Sequence, residues 1–376
     1  MTRNKPIAVL GGGNIGHALA ADLSLGGYKV IWYEHPSMKE KFQPLIDYGK
    51  IDVYDDKNDR LATAKIHELT MDMEEALKDV ALIFLGIASY GQEVFFPEII
   101  PHLKDNHTMY ILTGNSGALR LKKLMKDMNC RANPLICETN TMPYGARVVG
   151  FGKVRLFYGY GPWYDPAPKL EDQVLPDVAA ALPASRNKEA LELLQELFPV
   201  MMETDNVLTV AANNTNILYH PTSSLLNAGR IESSGGNFYA YREGIGGSPA
   251  VQYAINYMSD ELAKITGALG SKRILTHEAG ERFWKFMIAP RRGKEPLDPV
   301  GPRSLNDRYI TEDVPYALLP MEGLAGKLGV EVPFISALIT VGSVVCRQDF
   351  RRTGRTMEKL GIADMDKAQL TEYVMV

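Results

Sequence analysis

The sequence predicts two domains in series, a parallel doubly wound α/β domain over residues 1–195 and an all-α domain over residues 196–376. Three observations carry this. Short apolar runs alternate with amphipathic stretches through the first third of the chain, the pattern of a parallel sheet with helical crossovers. A glycine-rich turn, VLGGGNIG at Val9–Gly16, joins the first apolar run to the first helical stretch. From Asn206 onward strand-like alternation is scarce and helical periodicity takes over.

Taken in order, Ile7–Leu10 (IAVL) reads as a strand, Ile15–Leu25 as a helix and Lys29–Tyr33 (KVIWY) as a second strand. Ala81–Gly86 (ALIFLG) and Thr108–Leu112 (TMYIL) are uninterrupted apolar runs, which suit strands covered on both faces. Phe95–Leu103 and Leu119–Met128 are helical stretches, and Leu135–Glu138 is a further strand. Proline-rich punctuation at Pro162–Pro168 and Leu182–Arg186 precedes a helix at Lys188–Leu197. The second domain is expected to hold helices at Asn206–Tyr219, Ala250–Leu269, Gly280–Phe286, Tyr316–Leu328 and Phe334–Cys346. In the second of these, Val251, Ile255, Met258, Leu262, Ile265 and Leu269 form one apolar stripe. Ala289–Asp307 is a long connection rich in Pro and Gly, of a length that is often functional inside a compact domain.

Composition excludes several classes. A net charge of −4 with no basic stripe gives no nucleic-acid footprint, and the cluster Arg347–Arg355 reads as a solvated helix face or a substrate-domain edge. Cys130, Cys137 and Cys346 are odd in number and form no CxxC pair, so a disulfide framework is not expected and a reducing cytoplasm fits. The apolar run before the first glycines is too short for a secretory leader, and Phe334–Cys346 is too short for a membrane span. No His/Cys cluster has metal-ligand spacing. The broad apolar stripes of the helical domain are compatible with a homodimer.

In Gly11-x-Gly13-x-x-Gly16 the first glycine permits the tight turn, the second lets a pyrophosphate approach the backbone, and the third lets helix and strand pack closely. The helix N-terminus then offers N–H groups and partial positive charge to phosphate. Glu34 ends the second strand, placed to accept from a ribose diol. Gly11, Gly13, Asn14, Ile15, Gly16 and Glu34 are therefore the candidate dinucleotide contacts. Glu34 would repel a 2′-phosphate, which favours NAD, while Lys39 and Lys41 keep NADP open.

The segment NNTNILYHPTSSLLNAGRIE, Asn213–Glu232, puts a histidine directly before a proline. Proline disfavours helix in the preceding residue, so His220 is expected at a last turn or kink, projecting into a cleft. Asn213 and Asn216 share its helical face and suggest a wet pocket. Further on, Arg308 and Asp313 lie in RYITEDVP before Pro315. Two readings are open for these residues. His220 is a satisfied structural histidine, Asp313 an N-cap and Arg308 a surface cation; or Asp313 orients His220 while Arg308 grips a carboxylate with its planar fork. Thr139 and Thr141, and Gly114–Gly117, follow strand ends where ligands bind in open α/β sheets, and they equally suit turn chemistry.

At these residues the chain resembles the opine dehydrogenases, the octopine/nopaline dehydrogenase family. The resemblance rests on VLGGGNIGHALAADL, on CETNTMPYGAR at Cys137–Arg147, on the pattern HP-x5-NAGRIE within Asn213–Gly244, and on RYITEDVPYALLP at Arg308–Pro320. It implies a Rossmann domain followed by a helical domain of the 6-phosphogluconate dehydrogenase-like type, with the active site between them. It implies NAD(P)H-dependent condensation of an α-keto acid, pyruvate by default, with the amino group of an amino acid. His220, Arg308 and Asp313 match the family's catalytic positions. Arg308, Asn216 and Thr141 are the candidate substrate contacts. The chain has no lysine between Glu203 and Tyr241, where β-hydroxyacid dehydrogenases of that superfamily carry a catalytic one. A keto-acid reductase without an amine substrate and a non-catalytic nucleotide sensor are the competing expectations.

Overall fold

Five buried strands give the first half of the chain its frame. They are β1 (Ile7–Leu10), β2 (Val30–Tyr33), β6 (Leu82–Leu85), β7 (Thr108–Ile111) and β8 (Leu135–Thr139), and every residue in them is buried. A computed structural model of the chain describes residues 5–55, 59–165, 176–289 and 301–376. Positions 1–173 with 179–203 form one compact unit, and 174–178 with 204–376 form a second.

In the first unit the helices are α1 (Asn14–Leu25), α2 (Lys39–Tyr48), α3 (Met73–Leu77), α4 (Ser89–Ile99), α5 (Gly117–Asp127) and α6 (Asn187–Gln195). The large sheet adds β5 (Glu68–Thr70), β11 (Val178–Leu182) and β12 (Met202–Glu203), in the order β12-β11-β8-β7-β6-β1-β2-β5. β1 pairs in parallel with both β2 and β6, so the strand order reverses beside it. The crevice outside the carboxyl ends of such neighbouring strands is where open α/β sheets take ligands. β11 runs antiparallel to β8, an edge not expected from the sequence.

A second sheet was also not expected. It comprises β3 (Lys50–Tyr54), β4 (Arg60–Lys65), β9 (Tyr144–Gly150) and β10 (Lys153–Gly159), in the order β4-β3-β10-β9. Its inward residues Ile51, Val53, Ala64, Val154 and Leu156 join α1 residues in the unit's core.

The second unit is helical: α7 (Val207–Ala212), α8 (Thr215–Leu225), α9 (Ala228–Ser233), α10 (Pro249–Ala268), α11 (His277–Ile288), α12 (Arg308–Thr311), α13 (Leu319–Leu328), α14 (Pro333–Val345), α15 (Phe350–Thr353), α16 (Met357–Leu360) and α17 (Lys367–Met375). Ala240–Ile245 and Val314–Leu318 are π-helical. The stripe of α10 faces inward, with Val251, Ile255, Met258, Leu262 and Ile265 buried. Glu261, on the same helix, is fully buried and accepts from the Phe334 and Ile335 amides at 2.8 and 2.9 Å. Its carboxylate thereby satisfies the first N–H groups of α14, whose own cap residue is Val332. Among the described residues no helix is long and apolar enough to cross a membrane.

Two expectations change. The helix expected at Asn206–Tyr219 is broken at Asn213 and Asn214, and it does not end at His220. Asn213 turns its amide away from the helix: Oδ1 accepts from the Ile274 and Leu275 amides, each at 2.9 Å, and Nδ2 donates to the Thr209 carbonyl. Asn214 then caps α8 by accepting from the Asn216 amide. The helix runs on through Pro221, because α10, α12 and α14 pack against it and tertiary packing outweighs the local cost of the proline. Of the long connection Ala289–Asp307, residues 290–300 lie outside the described residues, as do residues 166–168 of the proline-rich segment.

Candidate functional site

The glycine-rich turn separates glycines the fold requires from one it does not. Gly11 has φ +108°, and a Cβ there would lie 2.4 Å from Ile87 Cγ2. A Cβ on Gly16 would lie 1.7 Å from the Gly11 carbonyl oxygen, so that contact seats α1 on β1. Gly13, the N-cap of α1, has nothing within 4 Å of where its Cβ would be. Open space at the N-terminus of a helix, at the sheet's reversal point, fits a dinucleotide pyrophosphate.

Glu34 closes the turn from the end of β2. Its Oε2 accepts from the Gly12 amide at 2.7 Å and its Oε1 from the His35 amide at 2.8 Å. Burial raises its pKa, opposed by those two amide bonds and by His35. Asn14 spends its side-chain oxygen on the Val148 amide at 2.8 Å. Ile15 is buried, and its Cγ2 would lie 2.9 Å from a Cβ on Gly86. His17 bonds the Gly13 carbonyl at 3.0 Å and sits edge-on to Trp32.

Thr141 belongs to the same unit, half-buried just past β8, where its carbonyl accepts from the Thr139 hydroxyl at 2.6 Å. Asn115 and Ser116 in the turn before α5 have φ of 51° and 65°. The N-terminus of α5 is capped by Glu138 Oε2, which accepts from Ala118 N at 2.9 Å.

In the helical unit, His220 lies mid-way along α8 and is 5% exposed. Its Nδ1 meets Asp313 Oδ2 at 2.7 Å. Asp313 is 3% exposed and precedes the π-helical turn Val314–Leu318, yet its side chain makes no cap bond there. The capping role falls to Asp307, which accepts from the Tyr309 amide at 3.2 Å and starts α12. Of the two readings of Asp313, the structure shows the histidine partner.

Arg308 opens α12 and is half-exposed. Its Nη1 donates to Glu312 Oε2 at 3.1 Å. Desolvation pulls the guanidinium pKa down, but the Glu312 and Asp313 carboxylates, with Tyr309 and Asp307, outweigh it and hold Arg308 firmly charged. Asn216 is half-buried one turn before His220, whereas Asn213 is 1% exposed and consumed by backbone amides. The polar stripe expected on α8 therefore keeps Asn216 and His220 and loses Asn213.

Two neighbours of this cluster did not stand out in the sequence. Glu312 lies four residues after Arg308, the helical spacing of an ion pair, and that spacing was the available signal. Tyr309 stacks on His220, with ring centroids 3.7 Å apart and planes 2° from parallel. No spacing in the chain announces that contact. Together the arrangement offers a buried carboxylate–histidine pair able to exchange a proton, beside a guanidinium with nitrogens left over for a second carboxylate.

Residues 203–346 match the family model described as NAD/NADP octopine/nopaline dehydrogenase, alpha-helical domain. The chain is 29% identical over 381 residues to an opine dehydrogenase of Arthrobacter sp. (strain 1C), with all of both chains covered. Octopine dehydrogenase solved with NADH and L-arginine superposes with a TM-score of 0.73 at 18% identity, covering 98% of each chain. Yersinopine dehydrogenase with NADP+ bound gives 0.66 at 14% identity, covering 100% of this chain and 98% of that one.

Proposed function

We propose that this chain, a member of the opine dehydrogenase family and an NAD(P)-dependent oxidoreductase, condenses an α-keto acid with the amino group of an amino acid, and catalyses the reverse oxidation. The observation that carries the proposal is the buried His220–Asp313 pair at 2.7 Å, with Arg308 five residues before Asp313. Pyruvate is the keto acid and an L-amino acid the amine in this reading. Octopine dehydrogenase has been solved with L-arginine and with pyruvate, and that supports the choice.

Gly11, Gly13 and Gly16 with the backbone of Asn14 and Ile15 would hold the pyrophosphate, and Glu34 the adenosine ribose. The bound nicotinamide supplies the hydride that reduces the imine carbon. The protein's own groups do the rest. Arg308 binds the keto acid's carboxylate through nitrogens that Glu312 leaves free, which fixes the carbonyl. Asp313 holds Nδ1 of His220, so Nε2 is the nitrogen that moves protons. Nε2–H protonates the carbonyl oxygen as the neutral amine adds, and that oxygen leaves as water with this proton and one from the amine nitrogen, which leaves a protonated imine. In the oxidative direction His220 takes the proton back. Asn216 and Thr141 are placed as substrate contacts by this reading.

The test is a matrix of keto acids against amino acids, followed by NADH and NADPH absorbance. Coenzyme oxidation that requires both substrates supports the proposal. Oxidation with a keto acid alone would replace it with a simple reductase, and coenzyme binding without turnover on any pair would replace it with a sensor.

A further inference from the structure

We propose that Tyr309 is a positioning residue for His220, a fixed aromatic wall that sets the plane of the imidazole; this rests on the proton-transfer role given to His220 above. The two rings lie 3.7 Å apart at 2°. Asp313 holds one edge of the imidazole at Nδ1. A single hydrogen bond leaves the ring free to rock about the line joining its two atoms. A parallel ring at van der Waals distance removes that freedom, because tilting either way brings carbon against carbon. With the Nδ1 edge closed by Asp313 and one face closed by Tyr309, a substrate can meet His220 only at the Nε2 edge and the opposite face.

The stack is also chemically apt. Parallel overlap of two neutral rings is less favoured than an offset or edge-on arrangement. A positively charged ring over an aromatic face is attracted, so the contact tightens when His220 carries the proton. Tyr309 is itself anchored, because Asp307 caps its amide and α12 packs against α8. The same short turn thus delivers three functions: Arg308 toward the carboxylate, Tyr309 against the imidazole face, and Asp313 to its edge.

The role belongs to the ring face, so the phenol oxygen should be dispensable. In the full-length enzyme, with the substrate pair identified by the matrix, Tyr309→Phe should keep kcat within about threefold. Tyr309→Leu and Tyr309→Gln should each lower kcat by roughly tenfold to a hundredfold, the scale of a misplaced catalytic group. NADH affinity and the melting temperature should be nearly unchanged, and KM for the keto acid should move by less than about threefold, since Arg308 is intact. Tyr309 is only half-buried, so truncation opens little of the core, and the flat, polar Gln serves should Leu fail to fold. Leu and Gln variants that turn over within threefold of the parent would overturn the inference, as would a Phe variant as impaired as Leu. His220→Ala, assayed alongside, separates the two levels. If it turns over normally, the proton-transfer reading fails. If it is inactive while Tyr309→Leu is unimpaired, only the positioning role fails.

Discussion

Asp313 reaches Nδ1 of His220 at 2.7 Å across 93 residues of sequence, and both side chains are almost wholly buried. A carboxylate so placed favours one tautomer and steadies the imidazolium that forms during proton transfer. Asp313→Asn preserves shape but removes the charge and offers the wrong hydrogen-bond pattern. It is expected to lower kcat by about two to four orders of magnitude, with coenzyme affinity retained. Stopped-flow turnover alongside NADH fluorescence titration checks this.

The two glycines of the turn should fail differently. A Cβ at Gly13 meets no atom within 4 Å, so Gly13→Ala should fold with an ordinary melting temperature and lose coenzyme affinity by about tenfold or more. Gly16→Val must displace the Gly11 carbonyl, so it should unfold or melt far lower. Thermal melts and coenzyme titrations on both variants decide it; a folded Gly13 variant that binds coenzyme at parental affinity would show that Gly13 has no ligand role.

Arg308→Lys keeps the charge and discards the planar fork. KM for the keto acid should rise by roughly tenfold or more while KM for the amine changes little. Steady-state kinetics with each substrate varied in turn measures the split, and an effect confined to the amine would reassign Arg308.

His107 gives a pH signature of folding that does not depend on turnover. It is 1% exposed, and burial first, then the Lys104 charge, lowers its pKa to about 4 from 6.5. Its Nδ1 accepts from the Lys104 amide at 3.3 Å, which a protonated ring cannot do. The folded state therefore binds fewer protons than the unfolded state between those two values. The stabilisation is complete above pH 6.5 and is lost as pH falls toward 4. Urea unfolding at pH 7 and pH 5 should show His107→Asn losing about 1–2 kcal/mol less than the parent over that interval.

What was legible in the sequence was local. β1, α1 and β2 follow one another within the first thirty or so residues, and each carries its own signal: IAVL, the glycine turn, KVIWY. The small sheet is not legible in the sequence, although Val154 and Leu156 alternate as a strand should, because β3 and β10 pair across about a hundred residues and no short-range pattern records that. Pro221 misled for a related reason. It argues locally for a helix end, and only the surrounding helices keep α8 going to Leu225. His220, Arg308 and Asp313 could be named from motif and resemblance, but their geometry could not. Tyr309 carries no signal of its own beside Arg308, and its parallel stack exists only once α12 lies on α8.

The central claim, that the imidazole of residue 220 carries the proton, is tested most directly by steady-state turnover of His220→Ala with saturating keto acid, amino acid and NADH. The account requires a loss of at least about a hundredfold in kcat, with NADH still bound at parental affinity. Turnover within a fewfold of the parent would contradict it.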